Sequence, residues 1–203
     1  MSSLNLYVVD DDEAVRRSLG MLLLSRGHAV QTFESGEDFL AMVRPQDCGC
    51  LILDLRMAGM SGLQVFDELR NRASLLVVLF LSGNGDIATA VDAVQRGAFG
   101  WLEKPCSEDA FLEKVNLALV RAKALSVNAG ARAKARALWS KLTEREQDVA
   151  RRVANGESNK EIARTLTPPC EPRTVETHRG KAYAKLGLTT PTELDRFIRE
   201  HSL

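Results

Sequence analysis

Up to residue 122 the apolar positions follow two alternating periods. Short apolar runs stand at 6–9, 29–33, 51–53, 75–81 and 99–102. Between them, at 13–26, 35–43, 61–71, 86–96 and 107–122, apolar residues recur every third or fourth position. The runs predict strands and the recurring patterns predict amphipathic helices. Their strict alternation predicts an α/β doubly wound fold, a five-stranded parallel sheet with helices on both faces. Helix starts are also marked chemically. Ser35-x-x-Asp38 resembles a capping box, Ser61-x-x-Gln64 is one, and Ser107 precedes two acids in a first turn.

The pattern then changes. Residues 123–138 are rich in Ala, Arg and Lys with no strand signal, and read as a helical or flexible linker interrupted near Asn128-Ala129-Gly130. From 139 to 203 only helical patterns occur. Thr143-x-x-Glu146, Ser158-x-x-Glu161 and Thr190-x-x-Glu193 are capping boxes, the last with Pro191 at the first helical position. With a further helix at 174–186, this predicts a small all-α domain of four helices. The expected boundaries are therefore 1–122, 123–138 and 139–203.

Charge separates the two halves. The chain's net charge is zero, but residues 1–122 hold 17 acids against 11 bases, and residues 123–203 hold 10 acids against 16 bases. A basic helical half following an acidic α/β half points to nucleic acid as the partner of the second. The 45% apolar, 27% charged composition is that of a globular protein. No apolar run approaches the roughly 20 residues of a membrane helix, and the N-terminus lacks a signal-peptide pattern. No membrane partner is expected, and the location is expected to be cytoplasmic. The four cysteines, without C-x-x-C pairing, are expected to be reduced thiols.

In an open parallel sheet, functional groups collect beyond the carboxyl ends of the strands. Strand one is followed by Asp10-Asp11-Asp12-Glu13, strand three by Asp54, strand four by Ser82 and strand five by Lys104-Pro105. Crowded carboxylates repel one another and call for a cation. Oxygen donors suit a hard divalent ion such as Mg²⁺. Asp54 is then placed as a carboxylate nucleophile toward phosphorus, with Lys104 and Ser82 to hold phosphoryl oxygens. Any one of these residues alone is more often a turn acid, a helix cap or a solvated lysine. Their joint placement after four strands carries the reading.

The segments VVDDDEAVRRSL, LILDLRMAGMSG, LSGNGD and GAFGWLEKP resemble the receiver domain of two-component response regulators. The resemblance implies that Asp54 accepts phosphate from a sensor histidine kinase. It implies that Asp10 and Asp11 form the acidic pocket, with Asp11, Asp54 and the Arg56 carbonyl as Mg²⁺ ligands. Ser82 would be the switch hydroxyl, Trp101 the switch aromatic and Lys104 the phosphate-binding lysine. Two positions depart from the family pattern. Ala58 stands where proline is usual, which loosens the loop by ~0.5–1 kcal/mol of chain entropy. Trp101 stands where Tyr or Phe is common; a plain core aromatic is the alternative reading of it.

LTEREQDVARRVANGESNKEIARTL and TVETHRGKAYAKLGL resemble the LuxR-type helix-turn-helix domain, and the whole chain resembles the NarL/FixJ class, the FixJ branch above all. A helix fits the major groove and reads bases mainly through its N-terminal residues. The helix at 174–186 offers Thr174, Glu176, Thr177, Arg179, Gly180 and Lys181 on its outer face. Glu176 suits a cytosine amino group and Thr177 a thymine methyl. Lys160, Arg173, Arg179, Lys181 and Lys185 are candidates for phosphate contacts. Gly180 costs roughly 1 kcal/mol inside a helix, which close approach to DNA would explain. The family's turn between its central helices has about five residues; here 167–173 intervenes, with three prolines. The resemblance implies promoter DNA as target, a homodimer once phosphorylated, and RNA polymerase as a partner.

Two alternatives stand beside this. Haloacid-dehalogenase-type phosphohydrolases also place an Asp nucleophile after a strand, but they look like D-x-D, with the second Asp as proton donor. Arg56 occupies that position here, so substrate turnover is not expected. The other is a constitutive DNA-binding protein whose first domain only dimerises.

Overall fold

The computed structural model describes residues 4–83 and 87–203. The chain divides into two compact units, Met1–Val127 and Asn128–Leu203.

In the first unit, strands β1 (Asn5–Val9), β2 (Val30–Phe33), β3 (Cys48–Leu53), β4 (Leu75–Gly83) and β5 (Gly100–Lys104) form one parallel sheet in the order β2-β1-β3-β4-β5. Helices α1 (Glu13–Ser25), α2 (Gly36–Met42), α3 (Gly62–Asn71), α4 (Ile87–Gln95) and α5 (Glu108–Trp139) connect and follow the strands. Strand side chains alternate between two cores. Tyr7, Val9, Leu51, Leu53, Val78 and Phe80 meet Phe39 of α2 and Val65, Phe66 and Leu69 of α3. Leu6, Val8, Cys50, Ile52, Val77 and Leu79 meet Leu23 of α1 and Phe111, Leu112 and Val115 of α5. Burial on both faces is why the central strands β1, β3 and β4 are nearly continuous apolar runs. The order of connection reverses between β1 and β3, so the loops after these two strands part and leave a crevice there.

The expected break near Asn128-Ala129-Gly130 does not occur: α5 is one helix from Glu108 to Trp139. The strong helix formers around it outweigh the roughly 1 kcal/mol cost of one glycine. Residues 107–138, read as a helix plus a linker, thus form a single element.

The second unit contains α6 (Glu144–Ala154), α7 (Asn159–Thr165), α8 (Pro172–Leu186) and α9 (Pro191–His201). Its core gathers Trp139, Val149, Val153, Ile162, Leu166, Val175, Ala182, Leu186 and Leu194. All three expected capping boxes, at Thr143, Ser158 and Thr190, are formed. Helix α8 begins two residues before the expected 174. Pro172 takes the first helical position, where its missing N–H is not needed.

Candidate functional site

The carboxyl ends of β1, β3 and β5 bring three ionic groups together. Lys104 Nζ donates to Asp10 Oδ2 at 2.5 Å and to Asp54 Oδ1 at 2.8 Å. Both acids are buried, Asp10 at 2% exposure and Asp54 at 6%. Buried carboxylates this close are tolerable only with a cation between them. Their remaining oxygens are also engaged: Asp10 Oδ1 accepts from the Asp12 amide at 3.0 Å, and Asp54 Oδ2 from the Arg56 amide at 2.7 Å. Burial pushes the Asp54 carboxyl above the ordinary carboxylate value and Asp10 adds to this, while Lys104 and the Arg56 amide oppose it. Burial alone would lower the Lys104 ammonium, but its bonds to Asp10 and Asp54 hold it above the ordinary lysine value.

The other expected residues lie around this triad. Asp11 is exposed, and its Oδ2 accepts from the Ala58 amide at 2.9 Å. Proline, usual at that position in the resembling family, has no such donor. Ser82 is buried inside β4, and among the described residues its hydroxyl donates a long bond, 3.3 Å, to the Gly83 carbonyl. Trp101 is half-buried on β5 beside Phe80, with which it is in register across the sheet; the ring centroids lie 5.8 Å apart. It packs on the α2–α3 core and so serves as a core-edge aromatic in this state. The LSGNGD segment continues into 84–86, outside the described residues. Among the described residues no three His, Cys, Asp or Glu side chains converge as a metal cluster. The donor set is instead two buried carboxylates, the nearby Asp11 and the Arg56 backbone, all hard oxygens.

Three supporting residues escaped the sequence reading. Asp12 caps α1, accepting from the Ala14 and Val15 amides. Arg16 Nη1 donates to the Asp10 carbonyl at 2.6 Å, fixing the end of β1 from one turn inside α1. Gly62 lies so close to β3 that a Cβ there would sit 2.1 Å from the Asp54 carbonyl oxygen. A cap is readable from an Asp before a helix. The other two depend on tertiary contacts.

In the second unit, α8 buries Val175, Ala182 and Leu186 and exposes Arg173, Thr174, Glu176, Thr177, Gly180 and Lys181. Lys160 on α7 is exposed as well. Thr177 Oγ1 donates to the Arg173 carbonyl at 3.0 Å. The Arg179 guanidinium stacks over Tyr183 at 5.3 Å. Lys185 has a partner inside the protein: its Nζ donates to buried Glu146 at 2.6 Å. The turn between α7 and α8 spans residues 166–171, with Pro168 and Pro169 inside it.

Residues 6–116 match the response regulator receiver domain family, and residues 140–198 match the bacterial regulatory proteins of the luxR family. The chain is 39% identical over 196 residues to the transcriptional regulatory protein TdiR of Thauera aromatica, covering 97% of this chain and 86% of that one. It is 38% identical over 194 residues to the transcriptional regulatory protein FixJ of Azorhizobium caulinodans, covering 96% and 91%. The solved structure of the response regulator StyR superposes with a TM-score of 0.82 at 34% identity, covering 98% of this chain and all of that one. The chain belongs to the two-component response regulators of the NarL/FixJ class, a receiver domain followed by a LuxR-type helix-turn-helix domain. It is a DNA-binding transcriptional regulator; this class regulates transcription rather than turning over a substrate, which removes the phosphohydrolase alternative.

Proposed function

We propose that Asp54 is the phosphoacceptor and that its phosphorylation by a sensor histidine kinase drives dimerisation and promoter binding. The bridging of buried Asp10 and Asp54 by Lys104 carries this reading. An Asp54 oxygen forms the new bond to phosphorus as the bond from phosphorus to the kinase histidine nitrogen breaks. The Lys104 ammonium, already within reach of the carboxylate, then pairs with the phosphoryl oxygens. The buried Ser82 hydroxyl, weakly bonded to Gly83, is free to turn toward the same oxygens, and Trp101 is the neighbour that responds.

Asp10, Asp11, Asp54 and the Arg56 carbonyl would hold Mg²⁺. The residues fit the ion: their donors are hard oxygens, and two buried acids share one ammonium, leaving negative charge uncompensated. Bound there, Mg²⁺ supplies charge neutralisation for the phosphoryl group.

The exposed face of α8 would enter the major groove. Glu176 and Thr177 would read bases near its N-terminus, with Gly180 allowing close approach. Lys160, Arg173, Thr174, Arg179 and Lys181 would position the helix on phosphates and sugars. Lys185, committed to Glu146, serves the domain's structure instead. A phosphorylated dimer would present two such helices to a two-fold site. RNA polymerase is the expected downstream partner, and the cytoplasm the expected location.

The test is selection of sites from random DNA duplexes by the wild type, treated with a small phosphodonor and Mg²⁺, beside Asp54→Asn. A two-fold-symmetric site enriched only by the treated wild type supports the proposal. Equal enrichment by both proteins means constitutive binding and discards phosphorylation of Asp54 as its control. No enrichment by either discards the DNA interface assigned to α8.

A further inference from the structure

The α7–α8 turn poses a local problem that one side chain solves. Two consecutive prolines, Pro168 and Pro169, give this segment no amide donors at those positions. It follows directly on the C-terminus of α7, where carbonyl groups lack helical partners. Arg145 supplies the missing donors. Its Nη1 donates to the Thr167 carbonyl at 3.0 Å and its Nη2 to the Pro168 carbonyl at 2.7 Å. A guanidinium spans two adjacent acceptors with a planar fork that an ammonium lacks. Beyond the prolines, the Cys170 amide donates to the Ala163 carbonyl at 3.0 Å, closing the turn back onto α7.

The residue next to Arg145 holds the other end of α8. Buried Glu146 closes the α6 capping box with Thr143 and pairs with Lys185 in the last turn of α8. Arg145 and Glu146, adjacent in the first turn of α6, therefore grip the entry and the exit of the recognition helix. The exit is held by an ion pair whose acid is buried. The entry, which leads into the base-facing residues, rests on the Arg145 fork and the Cys170 bond.

We propose that Arg145 is a positioning residue for sequence-specific DNA reading: by fixing the proline turn it sets the place of the N-terminal end of α8 against the bases. This rests on the reading of α8 as the recognition helix. Arg145 is half-buried and its fork is used within the protein, so it acts through the turn and need not touch DNA.

The experiment uses full-length protein and a duplex enriched by the wild type, beside a scrambled duplex of the same length. Binding by wild type, Arg145→Lys and Arg145→Gln is measured across salt concentrations. Failure of the wild type to prefer the enriched duplex would undo the DNA-reading assignment itself, independently of Arg145. Given that preference, both variants are expected to lose about tenfold in it, the worth of one hydrogen bond, because neither side chain has the fork. Their affinity for the scrambled duplex and their salt dependence should stay at the wild-type level. If Arg145 contacted phosphate directly, Arg145→Gln would lower the salt slope by about 0.9, which would overturn the proposal. An unchanged preference in the two variants would overturn it as well. Should Arg145→Gln fail to fold by circular dichroism, Arg145→Lys, which retains the charge but not the planar fork, decides the matter through the preference ratio.

Discussion

Glu146 and Lys185, 39 positions apart, form an ion pair whose acid is almost wholly buried and whose base is more than a third exposed. Burial alone would raise the Glu146 carboxyl, but the Lys185 ammonium and the Thr143 amide outweigh it and hold the group below the ordinary 4.5. The sign of the pH effect follows. A carboxyl depressed in the folded state contributes stability that is present above its unfolded value and is lost as pH falls through the folded one. Glu146→Gln should therefore destabilise the second unit at pH 7 by about 2 kcal/mol, below the roughly 3–5 kcal/mol of a fully buried broken pair because Lys185 returns to water. The gap between wild type and variant should close below pH 4.5. Thermal melts from pH 7 to pH 3 check this; a gap constant with pH would show that Glu146 acts through its hydrogen bonds alone.

Lys104 is the one cation paired with the carboxylates of Asp10 and Asp54 among the described residues. Lys104→Met keeps much of the side-chain volume and removes the charge, leaving two buried acids in mutual repulsion. The receiver unit should lose about 3–5 kcal/mol at pH 7, because breaking a buried pair leaves an uncompensated charge. Adding Asp10→Asn should restore part of the loss by removing one of the two charges. Urea unfolding followed by receiver-specific probes measures both; additivity of the two substitutions would show that the three groups do not act as a unit.

The sheet was legible because its central strands β1, β3 and β4 are buried on both faces and so read as apolar runs, Leu51-Ile52-Leu53 being the plainest, whereas edge strand β2 exposes Gln31 and Thr32. The triad was legible because strand ends in this topology fall on one rim, so Asp10, Asp54 and Lys104 meet wherever the alternation holds. The continuity of α5 was not, because Asn128 and Gly130 are local break signals and the helix formers on either side had to be weighed against them. The start of α8 was misplaced for a related reason: Pro172 reads as a breaker within a helix and as a favoured residue at its first position. The tie between Arg145 and the proline turn joins α6 to a loop 22 residues away, and no periodicity marks such a contact.

Ala58 offers a test of the acidic pocket peculiar to this chain. Its amide holds Asp11 Oδ2 at 2.9 Å. Ala58→Pro removes that donor while installing the residue usual in the family. Asp11 would then be released toward the site assigned to Mg²⁺, and the affinity for Mg²⁺ should rise by about twofold to fivefold, a fraction of the worth of one hydrogen bond. Titration of Trp101 fluorescence with Mg²⁺ alone reads this, in a Trp139→Phe background so that Trp101 is the one tryptophan. Weaker binding would mean that the Ala58 amide orients Asp11 for the ion rather than diverting it.

Gly180 separates folding from DNA binding most cleanly. A Cβ built on it meets nothing within 4 Å, so neither the packing of α8 nor a close backbone neighbour requires glycine there. Gly180→Ala should stabilise the isolated protein by about 0.5–1 kcal/mol, the usual gain for alanine over glycine inside a helix. If glycine stands there because the helix approaches DNA closely, the same change should weaken binding to the selected duplex by tenfold or more, a cost of about 1.4 kcal/mol. Melting temperature and duplex affinity are thus expected to move in opposite directions, a result that damage to the fold does not produce. Gain in both would remove Gly180 from the DNA-facing surface and leave Glu176, Thr177 and Lys181 to carry it.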